Sequence, residues 1–196
     1  MNYISLIIIP LFLFTACGPK AFVRGEYGDA NEQNLLNDKW SETDMQNVVS
    51  TLVKDMVDTD IIRRAKLTPI IMVTSVENKT SEHIDTQSIT DMITVEIMAS
   101  KKAKFVNKSA RDDVAAEYEY QNSGVVSDKT KKGPGGQIGA DLILDGRIDS
   151  IVQQVGRDKT VYYKVTLSLT NLKTNIMEWS GHKQIRKKYR KQRVGL

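Results

Sequence analysis

The 196-residue chain has one cysteine, Cys17, and two histidines, His83 and His182. A single thiol excludes a disulfide framework within the chain. Neither histidine stands at a metal-ligand spacing and no cysteine accompanies them, so the common zinc patterns are absent. The stretch Gly133-Pro134-Gly135-Gly136 lacks the Gly-Lys-Ser/Thr ending of a phosphate-cradling loop and reads as a flexible turn. Asp145 and Asp149 alternate with Arg147 as on a solvated sheet face, not as an acid/base pair. There is no internal repeat. Beyond the first 16 residues, no apolar run approaches the roughly 20 residues a spanning helix needs. Convergent catalytic chemistry is missing, and the expectation is a non-catalytic protein that needs no metal or cofactor.

What is present begins at the N-terminus. Ile4 to Phe14 is apolar except for Ser5, too short for a stable transmembrane helix but suited to the core of a signal peptide. Small residues follow in Thr15-Ala16-Cys17-Gly18. This arrangement resembles the lipobox of bacterial lipoproteins, with Phe14 where that pattern usually has Leu. The resemblance implies cleavage after residue 16 and a covalent lipid on Cys17. A thioether there would also remove an unpaired thiol from an oxidising compartment. Two or more acyl chains hold a protein firmly, whereas one gives only marginal binding.

The expected organisation is a signal peptide over 1–16, a lipidated flexible tether over 17–37, and a globular domain over 38–196 ending in a basic tail. The stretch from Gly18 to Lys39 is polar and without hydrophobic periodicity, as disordered segments are. Its root-mean-square reach is roughly 25 Å. The chain's formal net charge is +4, with 27% charged and 40% hydrophobic residues, the composition of an ordinary globular domain.

Order is expected from Trp40. Ser41 with Asp44 forms a capping box, Trp40 and Met45 a staple, and Met45, Val48, Val49, Leu52 and Met56 recur at helical spacing to about Asp58. Pro69 introduces the apolar run Ile70 to Val73, a buried strand. Asp85, flanked by Ile84 and Ile89, opens a helix to about Ser100. Lys104 to Val106 is a brief strand, and Ser109 is expected to cap a third helix through Tyr120. The period then changes to two. Leu142, Leu144 and Ile148, then Val161 to Leu169, then Met177, Trp179 and Ile185 mark three half-buried strands of an antiparallel meander. The fold class is α/β, with helices packed on a small mixed sheet that ends in this meander.

One charge feature stands out. Lys183, Arg186, Lys187, Lys188, Arg190, Lys191 and Arg193 follow one another with no acidic residue between them. Such a cluster suits an acidic partner. It equally suits a solvated tail beside an edge strand, where Lys discourages strand-to-strand aggregation.

Several segments line up, in order, with one family. They are the lipobox, Asp38 to Asp44, Ile138-Gly139-Ala140-Asp141-Leu142-Ile143-Leu144-Asp145-Gly146-Arg147-Ile148, Tyr162-Tyr163, Ile176 to Ser180 and Ile185 to Lys188. Together they resemble the LpoB type of penicillin-binding-protein activator, over nearly all of residues 38 to 190. The resemblance implies a fold like the N-terminal domain of TolB and an outer-membrane lipoprotein facing the periplasm. The implied partner is a class A penicillin-binding protein, a peptidoglycan synthase, with no nucleic acid bound. Gly18 after the cysteine, in place of Asp, agrees with outer-membrane sorting. Enterobacterial members have longer, Pro-rich tethers than this one. Two other functions suit the same fold: a component of an envelope transport or secretion assembly, and a binding module for cell wall or anionic lipid.

Overall fold

The structure is a computed structural model that describes residues 25–33 and 35–192. Cys17 and the apolar run before it lie outside the described residues, as does Arg193. The chain divides into a unit of Met1–Glu32 and a unit of Gln33–Leu196. In the first, the described residues are exposed, and Asp29 turns the chain by accepting from the Asn31 N–H at 2.9 Å.

The second unit opens with α1 (Glu42–Val57). Its capping box forms as expected: the Asp44 N–H donates to Ser41 Oγ and the Ser41 N–H donates to Asp44 Oδ2. Val48, Val49, Leu52, Val53, Met56 and Val57 are buried along one face, and Asp58 caps the C-terminus. A single-turn helix, α2 (Asp60–Arg63), follows; it is too short to leave a periodic signal in sequence. In α3 (Thr86–Ser100), Asp85 accepts from the Gln87 N–H at 3.0 Å, and Ile89, Ile93 and Ile97 point into the core at every fourth position.

Both helices pack on a five-stranded sheet of order β2-β1-β3-β4-β5. Here β1 is Ile70–Lys79, β2 Lys104–Phe105, β3 Leu142–Val155, β4 Asp158–Asn171 and β5 Met177–Arg190. Strand β1 pairs in parallel with β2 and β3, and β3, β4 and β5 form the antiparallel meander. The expected fold class is the one observed. Val161, Tyr163, Val165, Leu167 and Leu169 all face the helices, at 0–1% exposure. Burying each such aliphatic side chain contributes about 1.5–3 kcal/mol.

Four local expectations differ from the structure. Strand β1 runs on to Lys79 because a register shift between Val73 and Val76 resets the alternation and turns Val76 into the core. The last helix, α4 (Arg111–Asn122), is not capped by Ser109. Ser109 Oγ instead donates to Asn107 Oδ1 at 2.7 Å, and Ala110 takes the N-cap position with no side-chain bond. Met177 is 59% exposed, because a second shift between Leu169 and Thr170 puts Trp179, not Met177, against the core. Finally, the basic stretch is no tail. Lys183 to Arg190 belongs to β5, paired with β4 along its length, and only Lys191 of the six expected partner-binding residues lies beyond the strand.

The first residues of this unit are also held in place. Tyr189 on β5 donates its hydroxyl to the Asn37 carbonyl at 2.5 Å, Lys159 on β4 pairs with Asp38, and Lys187 donates to the Lys39 carbonyl at 2.6 Å. The chain therefore enters the domain beside the β3–β4 hairpin, and α1 carries it to the opposite end of the sheet.

Candidate functional site

A β-strand sends successive side chains to opposite faces, and this splits the basic cluster of β5 in two. Lys183 and Lys187 share the helix-covered face with Ile185. Arg186, Lys188 and Arg190 share the open face with His182 and Gln184. Register then assembles the open face into rows across β3, β4 and β5: Arg147, Thr166, His182; Asp149, Lys164, Gln184; Ile151, Tyr162, Arg186; Gln153, Thr160, Lys188.

The charges on this face are not equivalent. Arg190 is engaged by Asp158, with Nε and Nη2 at 2.5 and 3.1 Å from the two carboxylate oxygens. That partnership holds the Asp158 carboxyl below the usual carboxylate range. Arg147 pairs with Asp149 at 3.1 Å. Arg186 lies over the Tyr162 ring, 5.8 Å from its centre, a cation–π arrangement on an exposed side chain. Lys188 forms no ion pair among the described residues. Around Tyr162, Arg186 and Lys188 the face sinks into a shallow depression of ≈ 510 Å³, edged by Ile151 and Gln153. The arrangement offers two cationic heads, an aromatic ring and amide donors. It can hold carboxylates or another anionic surface; it brings together no nucleophile with a base.

Lys187 goes the other way. Its ammonium lies 2.5 Å from Asp44 Oδ2, with the two side chains 3% and 5% exposed. It is buried among α1, β5 and the Lys39 carbonyl, so it presents no charge to a partner. Beside it, Tyr163 donates its hydroxyl to Glu82, whose other oxygen accepts from the Trp40 N–H at 3.1 Å. The Trp40 and Tyr163 rings meet edge-on, 5.4 Å apart. Burial, reinforced by the Glu82 carboxylate, pushes the Tyr163 phenol far above its ordinary value. This inner polar cluster was not expected from sequence. Its one signal was parity: Lys187 stands two residues beyond Ile185, on the inward side of the same strand.

The other candidate positions carry less. His83 and His182 are exposed and separate. Among the described residues no group of His, Cys, Asp and Glu is placed to hold a metal ion, and no helix is long and apolar enough to cross a membrane.

Comparison with known proteins adds the decisive observation. The family model described as peptidoglycan-synthase activator LpoB matches residues 44–185, from the inner end of the capping box through Ile185 on β5. The chain belongs to the LpoB family. No curated protein matches it in sequence. Among solved structures, the LpoB C-terminal domain from Salmonella enterica is 16% identical, covering 72% of this chain and 98% of that one, with a TM-score of 0.47. The solution structure of LpoB from Escherichia coli is 13% identical, covering 96% and 91%, with a TM-score of 0.44. The lipoprotein GNA1162 from Neisseria meningitidis is 14% identical, covering 64% and 88%, with a TM-score of 0.41. The LpoB family is one of activators rather than enzymes. The segment it spans includes β3 and β4 whole and most of β5, and so the greater part of the open face.

Proposed function

We propose that this protein is an outer-membrane lipoprotein, lipidated at Cys17 and facing the periplasm, that binds a class A penicillin-binding protein and raises its rate of peptidoglycan synthesis. The observation that carries the reading is the LpoB match over residues 44–185. Lipidation rests on the lipobox-like Leu13-Phe14-Thr15-Ala16-Cys17. The mechanism is differential binding: the activator stabilises a more active state of the synthase, and its effect cannot exceed its affinity difference between the two states. Such a mechanism needs a contact surface and no catalytic group. We assign Arg186, Lys188 and Lys191 of the expected basic set to contact with an acidic region of the synthase. Lys183, Lys187 and Arg190 are given no such contact, the last two because Asp44 and Asp158 already hold them.

The test is reconstitution. Purified chain added to a class A synthase should raise glycan polymerisation, and Arg186→Gln with Lys188→Gln should weaken binding at low salt. If neither a complex nor a rate change appears with any class A synthase of the same cell, the activator reading is wrong.

A further inference from the structure

We propose that the end of the domain where β1 and β3 begin and β4 finishes is a second docking site, for an acidic and apolar segment of a partner protein. An aliphatic or aromatic side chain would sit in one cleft and a neighbouring carboxylate in the cleft beside it. Naming the partner as the synthase rests on the activator reading above; the chemistry of the segment does not.

Two adjoining clefts carry the inference. The first, ≈ 630 Å³, is lined by Ile61, Leu67, Pro69 and Leu172, with Lys66 and Lys173 beside them. That volume is in the range of sites that take a ligand-sized group, and its apolar walls suit a hydrocarbon or ring. The second, ≈ 430 Å³, shares Ala65, Lys66 and Pro69 with the first and adds Arg63 and Lys102. Around them the surface is unusually apolar for a solvated end: Leu67 is 84% exposed, Leu172 48%, Ile176 57% and Met177 59%.

The charge balance selects the occupant. The clefts hold more cations than carboxylates: Asp58 accepts from Lys102 Nζ at 2.5 Å, and Asp141, which lines the first cleft, accepts from the Ile70 N–H at 2.9 Å and keeps its charge. Arg63, Lys66 and Lys173 form no ion pair among the described residues. An apolar cleft with Lys66 and Lys173 against the single carboxylate of Asp141, beside a second cleft with Arg63, complements an apolar side chain flanked by carboxylates.

Position selects protein over lipid. The chain enters the domain next to Lys159, while the clefts lie beside Leu172, so the length of β4 separates them, about 40 Å at 3.3 Å per residue. The chain ahead of Leu35, through which the lipid proposed on Cys17 would hold the domain, joins it at the opposite end of β4 from the clefts.

The test is a nuclear magnetic resonance titration of the full chain with a blocked pentapeptide, Asp-Glu-Leu-Phe-Asp, and with its uncharged analogue Asn-Gln-Leu-Phe-Asn. The acidic peptide should shift the amides of Ala65, Lys66, Leu67, Leu172 and Lys173. Lys66→Glu with Lys173→Glu, both exposed, should weaken it on the order of tenfold, as should the uncharged analogue. Equal binding of the two peptides, no shifts, or shifts confined to the Arg186–Lys188 face would overturn the proposal. So would vesicles of phosphatidylglycerol that bind this end more tightly than the peptide does. Synthase binding by the same full chain, measured in parallel, separates the two readings. Peptide binding at this end without synthase binding leaves the docking site standing and removes the activator reading; synthase binding unchanged by the double charge reversal removes this end from that contact.

Discussion

Lys187 on β5 and Asp44 on α1 meet at 2.5 Å inside the domain, although 143 positions separate them in sequence (187 − 44). Asp44 Oδ2 accepts at once from Lys187, from the Ser41 N–H and from Ser41 Oγ. One oxygen thus closes a helix cap and neutralises a buried ammonium. A chain that reads as basic at its C-terminal strand uses at least one of those charges to hold its first helix down.

Removing one partner of such a pair leaves the other buried and uncompensated. Lys187→Met is expected to lower stability by about 3–5 kcal/mol in urea unfolding. Adding Asp44→Leu should restore most of the loss, short of the roughly 1 kcal/mol that the helix cap contributes. A double variant no more stable than Lys187→Met would show that the pair is not coupled in this way.

Tyr163 sets an alkaline limit. Its phenol is raised above the ordinary 10.0, so the native state keeps a proton that the unfolded chain releases. Above about pH 10 the unfolded state binds fewer protons, and stability falls as pH rises. The stability held by the protonated phenol is complete below that pH and is lost on the way up to its native pKa. Tyr163→Phe should flatten this decline. In an ultraviolet absorbance titration it should leave the number of tyrosines ionising before unfolding unchanged from the parent. One fewer would place Tyr163 among the groups that titrate in the native state.

Gly146 on β3 is a close-approach position. A Cβ there would meet the Thr166 carbonyl oxygen at 2.7 Å and run into the Leu167 side chain on the neighbouring strand. Gly146→Ala is expected to cost about 1–3 kcal/mol as the β3–β4 pairing shifts to admit the methyl group. A thermal midpoint equal to the parent's would show that the two strands separate there freely.

For the lipid anchor, Cys17→Ala should move the protein from the membrane to the soluble fraction of the cell envelope. Metabolic labelling with an alkyne fatty acid should mark the parent and not the variant. A variant that stays with the membrane would require a different attachment.

The helices and the meander were readable because each repeats its period long enough to be counted. Val161 to Leu169 and Val48 to Met56 each fill one face of their element. The register shifts in β1 and β5 were not readable, because an extra residue in a strand is decided by the partner strand, not by local preference. This is why Met177, expected on the inward side with Trp179, is exposed while Trp179 packs against the core. The basic cluster was visible as charge, but sequence proximity hid its division. Parity with Ile185 was the one trace of it, and strand pairing shows that Arg186 and Lys188 look outward while Lys187 looks in. Asp44 is legible as a cap and Glu82 carries no signal at all, since nothing local connects either to a residue more than 80 positions away. The two clefts beside Pro69 are built from connecting segments, where no period exists to be read.

The fastening of residues 37–39 also sets how the domain bears load. A pull on the chain ahead of Leu35 reaches the Tyr189 hydroxyl and the Lys159 ammonium before it reaches α1. Those side chains rise from β4 and β5, whose backbone bonds run along fourteen-residue strands. Tension is thus passed sideways into the strongest-paired part of the sheet, and the first helix is spared from unwinding. The anchor on Cys17 and the far-end contact proposed above would load the domain from its two ends, and this fastening would be the strain relief at the point of attachment.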